Sequence, residues 1–174
     1  MHHGRRGEHR TVVNAEQTAF LTFAGSAFLS PEPARLLALA RELGDAEFVE
    51  ILETQADGLE QDYNRLFLNP LGTPLPPWQD ANHEEARLMG EAHLSALEWY
   101  RRFGVAPQRT SDPADHIGLL LLFYARLLDD APEEAEAFRI RHIDWIPEFC
   151  SKVETQAQHP FLRTLAQRLR QVLA

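Results

Sequence analysis

Cysteine is almost missing from this chain: Cys150 is the single one among 174 residues. One thiol forms no internal disulfide and builds no cysteine-rich zinc site. Cys150 falls in a helical pattern beside Phe149, which points to a buried, inert thiol rather than a nucleophile. Long apolar runs are lacking too; no segment reaches the ~18 apolar residues that a membrane span needs. Positive charge is scarce, with 17 basic residues against 26 acidic ones and a net charge of −9. Such a surface repels nucleic acid and anionic lipid and attracts a cationic partner.

The motifs of catalysis are also absent. The sequence has no GxGxxG, no GxxxxGK followed by Ser or Thr, no GxSxG and no HExxH; His83-Glu84-Glu85 lacks the second histidine. None of the eight histidines has a glutamate three positions before it, as a diiron helical bundle requires. The expectation is a protein that is not an enzyme and needs no metal or organic cofactor of its own. There is no convincing strand alternation and no helical-repeat period.

What remains is helix. Arg5 and Arg6 precede Thr18 to Leu29, yet Phe20, Phe23, Ala24 and Ala27 are spaced at i, i+3, i+4 and i+7 with polar residues between. That is an amphipathic helix rather than the uniform apolar core of an export signal. Residues 1–13 are expected as a disordered lead, with residues 14–174 forming one domain whose first helix Asn14 caps in a capping-box spacing with Gln17. Ser30-Pro31 starts a second helix that Gly44 closes, and Asp45 starts a third. Seven acidic and no basic residues lie between Asp45 and Asp62, a solvated face for the most part. Leu59 to Leu68 forms the next helix. Glu84 to Arg102 reads as a long helix ended by Gly104, with Leu88, Ala92, Ala96, Trp99 and Phe103 as its stripe. Asp112 caps a helix that is apolar nearly all round from Ile117 to Leu128; it must be central, with Gly118 letting a neighbour approach closely. Helices from Pro132, Asp144 to Gln156 and Pro160 to Leu173 complete an all-α, single-domain bundle of about nine helices.

The stretch Asp62 to Asn82, DYNRLFLNPLGTPLPPWQDAN, organises the rest. Tyr63, Leu66 and Phe67 form a helical face, and Asn69 suits a left-handed helix end. Pro70, Pro74, Pro76 and Pro77 then stiffen the chain into extended geometry, so that Trp78 stands on a rigid support. Taken alone, this tryptophan either pins a loop to the core or presents an aromatic to a partner. Asp115 and His116, an ionisable pair at the head of the apolar helix, also admit two readings: relief of the helix end, or an acceptor and a donor for a ligand.

YNRLF, then NP, then PLPPW resembles the signature of the TorD/DmsD family, cytoplasmic chaperones that mature twin-arginine-exported molybdoenzymes. PADHIGLLLLFYARLL, from Pro113 to Leu128, resembles the family's second signature. HIDWIPEFCSKVETQAQHPFLRTLA, from His142 to Ala166, resembles its C-terminal pattern. Asn69 stands where the family has glycine, and Gln79, Asp80, Ala81 and Asn82 depart from its acidic, small, apolar and aromatic run, which bears on the identity of the client. The resemblance implies a cytoplasmic chaperone that binds the twin-arginine signal peptide and the apo catalytic subunit of a dimethyl-sulfoxide-reductase-type molybdoenzyme, delaying export until the cofactor is loaded. It implies a signal-peptide site of Leu66, Phe67, Pro77, Trp78, Pro113, Asp115 and His116, in which a carboxylate near an aromatic wall suits arginine. It also implies a monomer or a domain-swapped dimer. Two alternatives stay open: a helical adaptor for a folded partner, and, more distantly, a hydrolase or nucleotide-binding protein centred on Asp115 and His116.

Overall fold

The computed structural model describes residues 4–83, 85, 86, 88–106 and 111–174, with side chains from Ala15 onward. Among these residues there are nine α-helices and no strand longer than one isolated bridge. They are α1 (Gly4–Leu29), α2 (Pro33–Leu43), α3 (Ala46–Thr54), α4 (Leu59–Tyr63), α5 (Glu91–Arg102), α6 (Ile117–Asp130), α7 (Pro132–Phe138), α8 (Ile146–Gln156) and α9 (Pro160–Leu173). Two π-helical turns, Asn64–Leu68 and Arg139–Ile143, continue α4 and α7, and a 3₁₀ turn covers Gln79–Asn82. No helix among the described residues is long and apolar enough to cross a membrane.

Helix α6 is the centre, as its near-uniform apolarity requires. Ile117, Leu120, Leu121, Phe123, Tyr124 and Leu127 are all buried. It crosses α1 at two glycines. A Cβ on Gly118 would stand 2.5 Å from Leu29 Cγ and 2.7 Å from Gly25 O, and one on Gly25 would stand 2.8 Å from Gly118 O. The two backbones therefore touch where no side chain fits. Phe20, Phe23, Ala24 and Ala27 of α1 are buried in the same core. Aromatic contacts extend it: Phe23, Phe48 and Phe161 on one side, Phe28, Tyr63, Phe67 and Phe149 in the middle, Tyr100, Phe123 and Phe138 on the other. Cys150 is buried, and burial pushes its thiol up, away from the reactive thiolate.

Several helix starts differ from the sequence expectation. Helix α1 reaches back to Gly4, through the expected lead, so Asn14 lies inside it instead of capping it; Met1–His3 lie outside the described residues. Helix α2 starts at Pro33 with Glu32 as its cap residue. Helix α5 starts only at Glu91, leaving Leu88 exposed ahead of it; Glu84 lies outside the described residues. Helix α6 starts at Ile117, capped by His116 rather than Asp112, because the chain from Asp112 to Asp115 turns and then runs extended. Helix α8 starts at Ile146, two residues after Asp144, whose place is taken by the end of the π-helical turn. The connector that the sequence places from Pro107 to Ser111 falls largely on residues 107–110, outside the described residues. By contrast, Asp45 caps α3 by accepting from Phe48 N, Gly44 closes α2 in the left-handed conformation, and α9 spans Pro160–Leu173 as read.

Candidate functional site: the Trp78 segment

The proline loop leaves the core at the first π-helical turn. This turn rotates Leu66 and Phe67 fully inward, 0% and 1% exposed, where Phe67 meets Phe28, Tyr63 and Phe149. The turn is anchored below by Asp62, which accepts from Arg65 at 2.6 Å, Gln158 N at 2.7 Å and His159 N at 2.8 Å. Burial works to raise the Asp62 pKa, but these donors outweigh it and hold the carboxyl below its ordinary range. Asn69 does not adopt the expected left-handed conformation. Its φ is −61°, and its side-chain oxygen accepts from Leu71 N instead, an Asx turn. The loop closes when Leu75 N donates to Leu66 O at 3.0 Å, leaving Leu71 at the tip 96% exposed.

From Pro77 onward the segment is bonded to three elements at once. Trp78 forms an antiparallel bridge with His116. Ile117 N donates to Pro77 O at 2.8 Å, and Gln79 N to Asp115 O at 3.0 Å. The Asp80 carboxylate reaches the head of α5, accepting from Ala92 N at 2.9 Å and His93 N at 3.1 Å, and Gly90 has no side chain to obstruct it. Gln79 reaches the second π-helical turn: its Nε2 donates to Arg141 O and its Oε1 accepts from His142 Nδ1, both at 2.8 Å. His142 Nε2 therefore accepts from Ser95 Oγ at 3.0 Å. Burial, followed by the Arg141 charge, lowers the His142 pKa to about 4, consistent with this neutral tautomer. Asn82 Nδ2 donates to Pro76 O and Trp78 O, fixing the local shape of the segment.

Helix α5 holds the other side of the bridge. Ala114 N donates to His93 Nδ1 at 2.8 Å, and Tyr100 Oη donates to Ala114 O at 2.6 Å. Asp115 Oδ2 accepts from Asp80 N at 2.7 Å. The ring closes, from α5 to Ala114, Asp115, Asp80 and back to α5. Within it, Asp115 Oδ1 is buried without a hydrogen-bond partner among the described residues. Burial, with a further contribution from the Asp80 charge, raises the Asp115 pKa. His116 Nδ1 accepts from Gly118 N at 3.0 Å as the cap of α6, and burial lowers its pKa to about 4.

The structure thus brings Pro77, Trp78, Pro113, Asp115 and His116 together and sets Leu66 and Phe67 beneath the proline loop. Six of the seven are buried; Trp78 alone is half-exposed. Asp115 lies ahead of the α6 cap, not in the helix's first turn, and the His116 ring is a helix cap. Gln79 and Asp80, departures from the family pattern, are 5% and 6% exposed and serve the architecture. Sequence reasoning missed their partners His93 and His142, and Ser95 on the far side of His142, which no spacing marks. It also missed a groove of about 550 Å³ beside the segment, lined by Gln79, Asp80, His83, Glu85, Glu91, Ala92, Ile140 and Arg141. Glu91 and Arg141 pair there at 2.6 Å, and Ile140 is 60% exposed.

An all-helical bundle of this layout is found in a solved structure from Archaeoglobus fulgidus described as a redox enzyme maturation protein. It is 25% identical, with a TM-score of 0.70 over 90% of this chain and 93% of that one. The family follows from the sequence. A profile described as nitrate reductase delta subunit matches residues 32–151, and the chain belongs to that family, the one that includes the TorD and DmsD chaperones. The Tat proofreading chaperone DmsD of Salmonella typhi is 34% identical over 122 residues, 68% of this chain and 60% of that protein. The chaperone protein TorD of Shewanella loihica is 29% identical over 175 residues, 94% of this chain and 78% of that one. The chain thus spans about 60% of the length of the DmsD relatives it matches. These relatives are named as chaperones, not as enzymes.

Proposed function

We propose that this protein is a cytoplasmic chaperone that binds the twin-arginine signal peptide of an apo-molybdoenzyme of the dimethyl-sulfoxide-reductase type and delays its export until the cofactor is inserted. The observation that carries this reading is Trp78: a half-exposed aromatic on a segment whose backbone is bonded on both sides to the bundle. A rigid aromatic anchor of that kind binds an apolar segment with little entropy lost on ordering. The seven residues of the inferred site divide their work. Trp78 makes contact, while Leu66, Phe67, Pro77, Pro113, Asp115 and His116 hold it in place. The adjoining groove, with Glu85 and Glu91 in its lining and Ile140 in its wall, suits a basic segment with apolar flanks. The molybdenum cofactor belongs to the client.

The test is retention of an apo-molybdoenzyme with and without its signal peptide by the immobilised protein. The reading predicts that removing the signal abolishes most of the binding. Equal retention of both forms, with no binding of the isolated signal, contradicts it and favours an adaptor for a folded partner.

A further inference from the structure

The carboxyl group of Asp115 invites assignment as the counter-ion of a client arginine, since it lies beside Trp78 and one of its oxygens has no partner among the described residues. The geometry assigns it a different role: Asp115 is a positioning residue that acts by hydrogen bonding rather than by charge, and no ligand touches it. This inference rests on the signal-peptide reading above.

Three observations carry it. Asp115 is 0% exposed, covered by the segment it holds, so a guanidinium reaches it only after the bridge at Trp78 has parted. Parting the bridge also releases Asp80 N from Asp115 Oδ2, within a segment that Asp80 and Gln79 tie to Ala92, His93, Arg141 and His142. Buried bonds of this kind are costly to leave unmade, and here they fail together. Lastly, Asp80 supplies the negative charge at the head of α5, so a second charge on Asp115 is opposed by burial and by Asp80, in line with its raised pKa. What the ring takes from Asp115 is one acceptor oxygen.

An asparagine supplies the same acceptor without the charge; an alanine supplies neither. The experiment uses the full chain as wild type, Asp115→Asn and Asp115→Ala. The probes are two synthetic signal peptides, one with adjacent arginines and one with adjacent lysines. Affinity is read by fluorescence anisotropy, and amide-exchange protection is read at Asp80, Ala92 and His93. Asp115→Asn is expected to keep the affinity and the arginine-to-lysine ratio within about twofold and to keep the protection. Asp115→Ala is expected to lose protection at all three amides and affinity for both peptides alike.

A folded, protected Asp115→Asn protein that loses arginine-peptide affinity by ~30-fold or more, as removal of one member of a desolvated charge pair does, overturns the proposal. Full protection at the head of α5 in a folded Asp115→Ala overturns it as well. If the wild type binds neither peptide, the signal-peptide reading fails, while the exchange data still decide whether Asp115 positions the segment.

Discussion

Phe67 lies in a stretch that resembles a family signature, and its side chain is in the core. The resemblance implies a place for it in the signal-peptide site, and the structure sets it among Phe28, Tyr63 and Phe149 at 1% exposure. Its replacement by alanine leaves a cavity in the middle of the core and is expected to cost about 3–5 kcal/mol, visible as a lowered denaturation midpoint with an unchanged slope. Trp78 is the opposite case, partly exposed and outside the core cluster, so that Trp78→Ala should destabilise the protein less than Phe67→Ala in the same denaturation experiment. At this scale the residue types were legible in the sequence and their orientations were not. The i, i+3, i+4 count marks Tyr63, Leu66 and Phe67 as one face, and they are buried together; the count does not say whether such a face meets the core or a partner. Asn69 carries the same lesson: its side-chain amide did the work expected of its backbone.

Between elements, the contact of α1 with α6 is set by Gly25 and Gly118. Gly118→Ala places a methyl within 2.5 Å of Leu29 Cγ and 2.7 Å of a backbone oxygen, so the helices must separate. The expected penalty is roughly 1–3 kcal/mol, read by chemical denaturation, with a smaller effect if Leu29 is shortened in the same chain. Gly118 was legible because a glycine inside an apolar helix marks a close approach. The late starts of α5 and α6 were not. Asp112-Pro113 has the appearance of a helix start, but the chain spends Ala114 and Asp115 on bonds to His93, Tyr100 and Asp80 before His116 caps the helix. Long-range bonds overrode a good local cap. The ring that joins Asp80 to α5 connects residues 12 apart in the chain, and the bond from Asp80 to Asp115 spans 35, beyond what spacing shows.

The whole molecule should be acid-sensitive. His116 and His142 are held neutral, with pKa values lowered to about 4 from 6.5, chiefly by burial. The unfolded chain takes up protons at 6.5 while the folded one does not, so their contribution is complete above pH 6.5 and is lost as the pH falls toward 4. Asp62, held below its ordinary range, adds a loss at still lower pH. Asp115, raised, works in the other direction. The melting temperature is therefore expected to fall between pH 7 and pH 4.5, and replacing His142 by glutamine, which cannot titrate, should flatten the fall. At this scale the sequence was at its most legible. An all-α bundle centred on α6 and three family signatures in order led to the family that the profile match identifies. Acidic composition contributed little to that; it describes a surface rather than a fold.

In the function proposed above, Trp78, held by the buried ring around it, grips the signal peptide of a molybdoenzyme. Calorimetric titration of the protein and of Trp78→Ala with one synthetic twin-arginine signal peptide tests it most directly. Saturable binding to the wild type is expected, weakened at least ~tenfold by a folded Trp78→Ala. Absence of binding to the wild type, or equal binding by both proteins, would contradict it.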